Sequence, residues 1–137
     1  MNIAKLIRRD PETVARDVTC ASAARRMRDA RVGSLVVAER GRPLGVVTDR
    51  DLVVRVIAAG ADPEKVAVGE IMSERPIFLS ESSDLLTAVQ TMRDLVVRRL
   101  PVVNASGAIV GVVSLDDAIL VLAASLEAAT QLIRKEM

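Results

Sequence analysis

Apolar residues follow two different periods along the chain. In the stretches 23–30 and 85–92 they recur at spacings of three and four, which places them on one face of a helix. Elsewhere the apolar residues form short continuous runs bounded by Gly, Pro or polar residues. Such runs predict strands that are covered on both faces. The predicted strands lie at 35–38, 44–47, 100–103 and 109–113.

These elements occur twice in the same order. Met27-Arg28-Asp29 in the first half is matched by Met92-Arg93-Asp94 in the second, and Gly45-Val46-Val47-Thr48 is matched by Gly111-Val112-Val113-Ser114. The offset is 65 residues up to the first strand and 66 residues beyond the turn. Since hairpin loops tolerate an added residue, we expect one insertion in the second hairpin. Internal repetition of this kind fixes the architecture of the chain.

The sequence therefore predicts an α+β fold made of two copies of one unit. Each unit is ordered β-α-β-β-α, because a short extended segment, at 11–14 or 76–79, precedes its first helix. We expect the first repeat to cover residues 1–59 and the second to cover 68–137. Gly and Asp-Pro signals place the linker between them at 60–67.

A hydroxyl and a carboxylate stand at the end of the last strand of each repeat. They are Thr48 and Asp51 in the first repeat, and Ser114 and Asp117 in the second. One interpretation is a helix start alone, in which the hydroxyl caps the helix and the acid complements its dipole. The other is a ligand site, because helix-start amides attract phosphate and a carboxylate suits the two hydroxyls of a ribose. Since the motif occurs twice after Gly-Val-Val, we favour the ligand site, with which capping is compatible.

The repeated pattern resembles that of cystathionine-beta-synthase-type (CBS) domain pairs. The resemblance rests on Met-Arg-Asp, Leu-Pro-Val-Val and Gly-Val-Val-Ser-x-x-Asp, and it covers nearly the whole chain. Segments 45–52 and 58–63 are also similar to small stand-alone bacterial two-CBS proteins of the hypoxic-response type. The resemblance implies tandem repeats related by a pseudo-twofold axis, with two small sheets flanked by helices. It also implies clefts between the repeats in which AMP, ADP or ATP binds.

By this resemblance, Asp117 holds the ribose, Ser114 the phosphate, and Arg98 or Arg99 the phosphate charge. Adjacent residues leading into a strand point in opposite directions, so we expect one arginine to reach the ligand, with a slight preference for Arg99. The expected contacts that complete the site near the second repeat are Ile77, Val97 and Pro101.

The first repeat departs from this pattern. Thr48 and Asp51 are intact, but Val32-Gly33-Ser34 stands where the second repeat has its arginines, so Arg50 or Arg31 would have to supply the cation. Because the chain offers no aromatic pair, adenine would lie between aliphatic side chains and be read by backbone groups. The expected contacts of the first repeat that complete this set are Thr13, Val14, Val32 and Gly33.

Composition narrows the classes of function. The chain has 19 basic and 18 acidic residues, and Phe78 is its only aromatic residue. It therefore lacks the positive field and the stacking surfaces of a nucleic-acid-binding protein. With no histidine and the single cysteine Cys20, the sequence offers no His-based triad and no base beside a thiol. We therefore expect a protein that is not an enzyme.

The hydropathy pattern also argues against a membrane protein. The longest apolar run, 118–124, has seven residues, whereas about 20 are needed to span a bilayer. The first residues lack the apolar block of a secretory signal. We expect a cytoplasmic protein without membrane contact.

The resulting hypothesis is a regulatory module that binds an adenine nucleotide between two CBS repeats. Mg²⁺ is a possible companion of the phosphates, since carboxylate pairs such as Asp116 and Asp117 suit it. The C-terminal helix, 116–137, has apolar residues near helical spacing, which indicate either a homodimer seam or packing on its own domain. A protein target is left open. The alternative is a structural or partner-docking dimerisation module with empty clefts.

Overall fold

The helices and strands follow the predicted order twice, which confirms the α+β fold. The structure is a computed structural model, and it describes residues 1–9, 11–73 and 78–137. The elements are a 3-10 helix (Ile3–Leu6), β1 (Thr13–Val14), α1 (Cys20–Ala30), β2 (Ser34–Glu39), β3 (Arg42–Thr48), α2 (Asp49–Asp51) continuing as a π-helical segment (Leu52–Ile57), α3 (Val68–Ile71), β4 (Leu79–Ser80), α4 (Leu85–Leu95), β5 (Arg99–Val103), β6 (Ile109–Ser114) and α5 (Leu115–Glu136).

Each repeat builds one three-stranded sheet of mixed direction. The strand orders are β1-β2-β3 and β4-β5-β6. In both sheets the short first strand runs parallel to the middle strand, and the hairpin that follows is antiparallel. The predicted segment 11–14 ends in β1. Of the predicted segment 76–79, residues 76 and 77 lie outside the described residues, and Leu79 begins β4.

The predicted insertion in the second hairpin is confirmed. Ala38 pairs with Pro43 in the first hairpin, and the matched Val103 pairs with Ile109 in the second. The second loop is therefore longer by one residue. Gly107 adopts a φ of 84° in that loop, a left-handed conformation that glycine accepts without strain.

The helices α1 and α4 begin and end at matched positions. Thr19 accepts a hydrogen bond from the Ser22 amide, and Asp84 accepts one from the Thr87 amide, so each helix has a side-chain N-cap. Both helices end at a left-handed residue, which is Arg31 in the first repeat and Val96 in the second. A β-branched residue in this conformation is strained.

The two hydrophobic cores exchange short segments between the repeats. Val68 and Ile71 of α3 pack in the core of the first repeat. Ile3 and Leu6 of the N-terminal 3-10 helix pack in the core of the second repeat. Each core is thus completed by a segment that stands outside its repeat or at its edge. The domain bounds at 1–59 and 68–137 stay a prediction. The packing shows that each core also contains residues from outside its own predicted bounds.

Matched glycines on β3 and β6 let the exchanged segments approach. Ser73 forms backbone hydrogen bonds with Val46 beside Gly45, and Arg8 forms them with Val112 beside Gly111. A Cβ atom at Gly45 would stand 2.4 Å from the Ser73 carbonyl oxygen, and one at Gly111 would stand 2.5 Å from the Arg8 carbonyl oxygen. A glycine in a strand admits either a ligand or another backbone, and here it is backbone that approaches both positions.

We therefore expect Gly45→Ala and Gly111→Ala each to lower the free energy of unfolding by about 1–3 kcal/mol, because an added methyl group forces the crossing backbone away. Gly33→Ala is the matched control, since its added Cβ meets only the exposed, movable Asp49 side chain at 3.0 Å. Urea denaturation followed by far-UV circular dichroism measures all three. Equal stability of the three variants would contradict the crossing.

Val96 allows a stabilising substitution. Its φ is 55° and its residue surface is 90% exposed, so its side chain contributes strain and little packing. Val96→Asn should raise the free energy of unfolding by about 1 kcal/mol, because Asn tolerates the left-handed region. Arg31→Asn, at the same φ but without β-branching, should gain less. A loss of stability in V96N by denaturation would show that the valine is held by packing.

The helix α5 extends well beyond the second core. Its residue Ala118 is buried, whereas residues 122–137 are exposed. No helix among the described residues is both long enough and apolar enough to cross a membrane.

Candidate functional site

A cleft of about 590 Å³ lies between the two sheets. Its walls are formed by every second side chain of the strands, because successive side chains of a strand point to opposite faces of the sheet. Leu35 and Val37 of β2 belong to the first core, while Val36 between them faces the cleft. Pro101 of β5 does the same between Leu100 and Val102, although Leu100 also reaches the cleft. The strands are thus covered by a core on one face and by the opposite repeat across the cleft.

The first helix-start motif is both a cap and part of this cleft. Thr48 Oγ1 accepts a hydrogen bond from the Asp51 amide at 3.1 Å. Asp51 Oδ2 accepts one from the Thr48 amide at 2.9 Å, which completes a capping box. The second oxygen, Asp51 Oδ1, lies 3.8 Å from Arg55 Nε, which is beyond hydrogen-bond range. Among the described residues, no hydrogen bond reaches that oxygen.

The second motif has the same hydroxyl cap, but among the described residues its carboxylate bonds to other partners and does not complete a capping box. Ser114 Oγ accepts a hydrogen bond from the Asp117 amide at 3.1 Å. Arg8 Nε and a terminal nitrogen of its guanidinium donate to the two oxygens of Asp117 at 2.7 and 2.8 Å. These hydrogen bonds, helped by Ser114 and by the charge of Arg99, lower the pKa of Asp117. The motif therefore holds a firmly ionised carboxylate that is already engaged by a cation.

The charges lining the cleft leave an excess of arginine. The two carboxylates Glu12 and Asp116 are paired with arginines outside the cleft, Arg26 and Arg98. Among the described residues, this leaves four lining arginines to face two lining carboxylates. The four arginines are Arg8, Arg9, Arg55 and Arg99, and the two carboxylates are Asp51 and Asp117.

Eight of the predicted site residues lie together in the cleft. They come from both repeats, so the two helix-start motifs face one continuous space. The eight are Val32, Thr48, Asp51, Val97, Arg99, Pro101, Ser114 and Asp117.

The other predicted site residues lie elsewhere, and Ile77 lies outside the described residues. The side chain of Arg98 pairs with Asp116 at the rim. Arg50 is exposed on α2 and does not line the cleft. Gly33 does not line it either, and its carbonyl accepts a hydrogen bond from the Asp49 amide. Thr13 and Val14 lie in β1, where they line a separate surface depression.

Sequence reasoning missed the arginines that other segments bring to the cleft. Arg8 and Arg9 follow the N-terminal 3-10 helix, and Arg55 lies on the π-helical segment. The 65-residue offset makes Arg8 the counterpart of Ser73, and both occupy matched backbone bridges. The offset could have identified Arg8 as the counterpart of Ser73, but the sequence does not show that these two segments cross to the opposite repeat and so reach the cleft.

Two matched α+β repeats, joined by exchanged segments around one cleft, define the class of paired-repeat modules. The family model for the CBS domain matches residues 3–58 and again residues 68–124. The chain belongs to the CBS domain family.

Two curated relatives illustrate the range of similarity. An uncharacterised protein of Methanopyrus kandleri is 35% identical over 118 residues, which are 85% of this chain and 60% of that protein. Hypoxic response protein 1 of Mycobacterium tuberculosis is 31% identical over 87 residues, which are 63% of this chain and 61% of that protein. The chain thus spans less than two thirds of the length of either relative.

Solved structures share the fold over most of both chains. Hypoxic Response Protein I, solved with two coordinated zinc ions, has a TM-score of 0.78 at 27% identity, covering 85% of this chain and 95% of that one. A CBS domain protein from Pyrobaculum aerophilum, solved in complex with AMP, has a TM-score of 0.79 at 29% identity, covering 91% and 99%. This chain has no histidine, and its single cysteine is buried, so it lacks the His and Cys ligands typical of zinc sites.

The pKa of Asp117 generates a prediction for stability against pH. Because its folded pKa is lowered, the carboxylate stabilises the fold fully above the usual carboxyl pKa of about 4 and loses this effect as pH falls through the folded value. Asp117→Asn should therefore cost about 1 kcal/mol at pH 7 and less at pH 2.5. Urea denaturation at both values, with Asp17→Asn as a surface control, measures the difference. A cost that is equal at both pH values would contradict the ion pair.

Proposed function

We propose that this chain is a regulatory module that binds an adenine nucleotide of the AMP, ADP or ATP type in the cleft between its two CBS repeats. The observation that carries the proposal is the convergence of both helix-start motifs on one cleft of about 590 Å³. That volume lies within the range of about 300–1,000 Å³ found for small-molecule sites. The Pyrobaculum relative in complex with AMP supports the choice of ligand class.

The cleft offers a place for each part of a nucleotide. Val32 and Val97 occupy matched positions and line the same space, so an adenine ring can lie against aliphatic side chains and exclude water. Asp51 and Asp117 are the acceptors for the ribose hydroxyls, since an ionised carboxylate accepts from both members of a diol.

The excess of arginine supports a ligand that carries negative charge. Arg99 has no side-chain hydrogen bond or ion pair among the described residues, and it lies close enough to Asp117 to lower its pKa. A phosphate near Arg99 and the amides of the α5 start would gain charge-assisted hydrogen bonds. Mg²⁺ would accompany the phosphates of ADP or ATP, with oxygen ligands from the nucleotide and water.

Regulation follows from the position of the site between the repeats. A ligand that touches both sheets favours the arrangement in which they stand at the matching distance, so its binding shifts the population of arrangements. No histidine is available for acid–base chemistry, and we propose regulation and not catalysis. We place this activity in the cytoplasm, acting on a protein target.

A titration of the pure protein with AMP, ADP, ATP, NAD and S-adenosylmethionine tests the proposal. An adenine nucleotide at a hundredfold excess over its Kd should stabilise the folded state by about 2.7 kcal/mol. Thermal unfolding in the presence of each compound measures the shift. Asp117→Ala should reduce it, because one of the two diol acceptors in the cleft is lost while Asp51 remains.

Asp49→Ala is the matched control for that titration. Asp49 is a helix-start aspartate like Asp117, but it is exposed and does not line the cleft. Its loss should leave the ligand-induced shift intact. No shift with any of the five compounds would overturn the proposal and leave the partner-docking module, whose clefts are empty.

We also propose that a second copy of this chain covers the exposed face of α5. The chain exposes 8848 Å², which is roughly 1,900 Å² more than a folded monomer of its mass is expected to expose. A standard interface covers about 800 Å² on each partner, so one further copy would cover a substantial part, though less than half, of this surface. The exposed apolar residues Ile119, Leu122, Leu126 and Ile133 recur at spacings of three and four, with Ala129 between the last two.

Sedimentation equilibrium tests the proposed dimer. The wild-type chain should sediment as a dimer of the 14.7 kDa protomer. Leu126→Glu should shift it to the monomer, because a charge buried in the seam is costly. Glu127→Ala, one residue along the same helix, should remain dimeric because Glu127 lies off the apolar stripe. A monomeric wild-type chain would contradict the second copy.

A further inference from the structure

The two carboxylates that face the cleft differ in a way that the sequence repeat conceals. Both oxygens of Asp117 accept hydrogen bonds from Arg8, at 2.7 and 2.8 Å. Among the described residues, Asp51 has no such bidentate partner: the residue that corresponds to Arg8 is Ser73, which carries no guanidinium, and Arg55 Nε stays 3.8 Å from Asp51 Oδ1. A ribose diol can thus reach Asp51 directly, whereas at Asp117 it meets an occupied carboxylate.

The Arg8–Asp117 pair has one fixed member and one movable member. The side chain of Asp117 is 17% exposed and that of Arg8 is 75% exposed. The backbone of Arg8 is held by its hydrogen bonds to Val112, at 2.9 and 3.0 Å. The guanidinium therefore lies at the end of an anchored but solvent-exposed side chain, from which it can reach other anions in the cleft.

From this geometry we infer that Arg8 is a selectivity latch that admits phosphorylated adenosyl ligands to the Asp117 half of the cleft and disfavours unphosphorylated ones. The inference rests on the proposed nucleotide site and adds to it the residue that distinguishes a nucleotide from a nucleoside.

The physical reason is an exchange of partners. When a nucleotide enters, its phosphate accepts hydrogen bonds from the Arg8 guanidinium, and the ribose hydroxyls donate to Asp117. The charge-assisted hydrogen bonds between Arg8 and Asp117 are thus replaced by charge-assisted hydrogen bonds between Arg8 and the phosphate. When a nucleoside enters, Asp117 receives only neutral hydroxyl donors and the guanidinium returns to water. The nucleoside therefore loses a charge-assisted pair that the nucleotide keeps.

Arg99 adds to this preference for phosphate, but it does not occupy the carboxylate of Asp117. It lines the cleft and contributes to the lowered pKa of Asp117, but it forms no hydrogen bond with that carboxylate among the described residues. Among the residues that the structure describes, Arg8 alone both blocks the sugar acceptor and offers a charge to the phosphate.

The experiment is an NMR titration of the full chain with AMP and with adenosine, followed at the backbone amide of Asp117 so that binding at Asp51 is not counted. Wild-type protein should bind AMP more tightly than adenosine. Arg8→Ala should bind adenosine about tenfold more tightly than wild type and AMP about tenfold more weakly. The preference for AMP over adenosine would then fall by about a hundredfold.

Two further variants separate the latch from general effects. Arg8→Lys keeps the charge but cannot span both carboxylate oxygens, so it should gain adenosine affinity while keeping most of its AMP affinity. Arg93→Ala removes an exposed arginine paired with a neighbouring aspartate away from the cleft, and both affinities should stay at the wild-type values.

The outcomes distinguish this inference from the proposed function. If AMP binds but R8A changes neither affinity, or weakens both by the same factor, the latch is wrong and the nucleotide site stands. If neither wild type nor R8A binds either compound, the nucleotide site itself is wrong and the latch falls with it.

Discussion

Each repeat sends a short backbone segment across the sheet of the other, and this crossing positions the cores, the cleft and the helix starts. Ser73 lies against β3 beside Gly45, and Arg8 lies against β6 beside Gly111. Each crossing completes the core of one repeat with a segment that lies outside it or at its edge, so the two sheets are held face to face. This arrangement creates the cleft between the sheets. It also makes the helix starts of both repeats face that one cleft.

The same crossings make the two halves of the site unequal. A 65-residue offset carries Arg8 onto Ser73. One carboxylate is therefore held by two hydrogen bonds from a guanidinium, whereas the other, among the described residues, has its helix-cap hydrogen bond and a longer ion pair to Arg55 at 3.8 Å. The strands, caps and glycines that build the scaffold are matched between the repeats, whereas the charged side chains that face the cleft are not. The repeat thus supplies a symmetric frame in which a few unmatched arginines change the chemistry.

Much of the fold follows from local patterns in the sequence. The apolar periods, the repeat and its one-residue insertion predict the strands, helices and hairpins, because each depends on residues close together in the chain. The segment exchange could not be predicted in this way. Nothing in the sequence near Ile3 or Val68 says which of two similar cores it completes.

In the candidate site, too, the residues of local motifs could be predicted from the sequence, whereas the residues brought by distant segments could not. Thr48, Asp51, Ser114 and Asp117 belong to a short motif with a fixed local geometry, and all four line the cleft. Arg8, Arg9 and Arg55 arrive from distant segments, so their presence depends on the tertiary arrangement. The side chain of Arg98 turns to the rim because adjacent strand residues alternate, which is why Arg99 faces the interior instead.

A co-crystal structure with AMP tests most directly whether the cleft between the two sheets is a nucleotide site. We expect AMP to lie between the two sheets, with its ribose hydroxyls on Asp51 or Asp117 and its base against Val32 and Val97. AMP bound on the outer surface, or crystals grown in millimolar AMP with only solvent in the cleft, would contradict it.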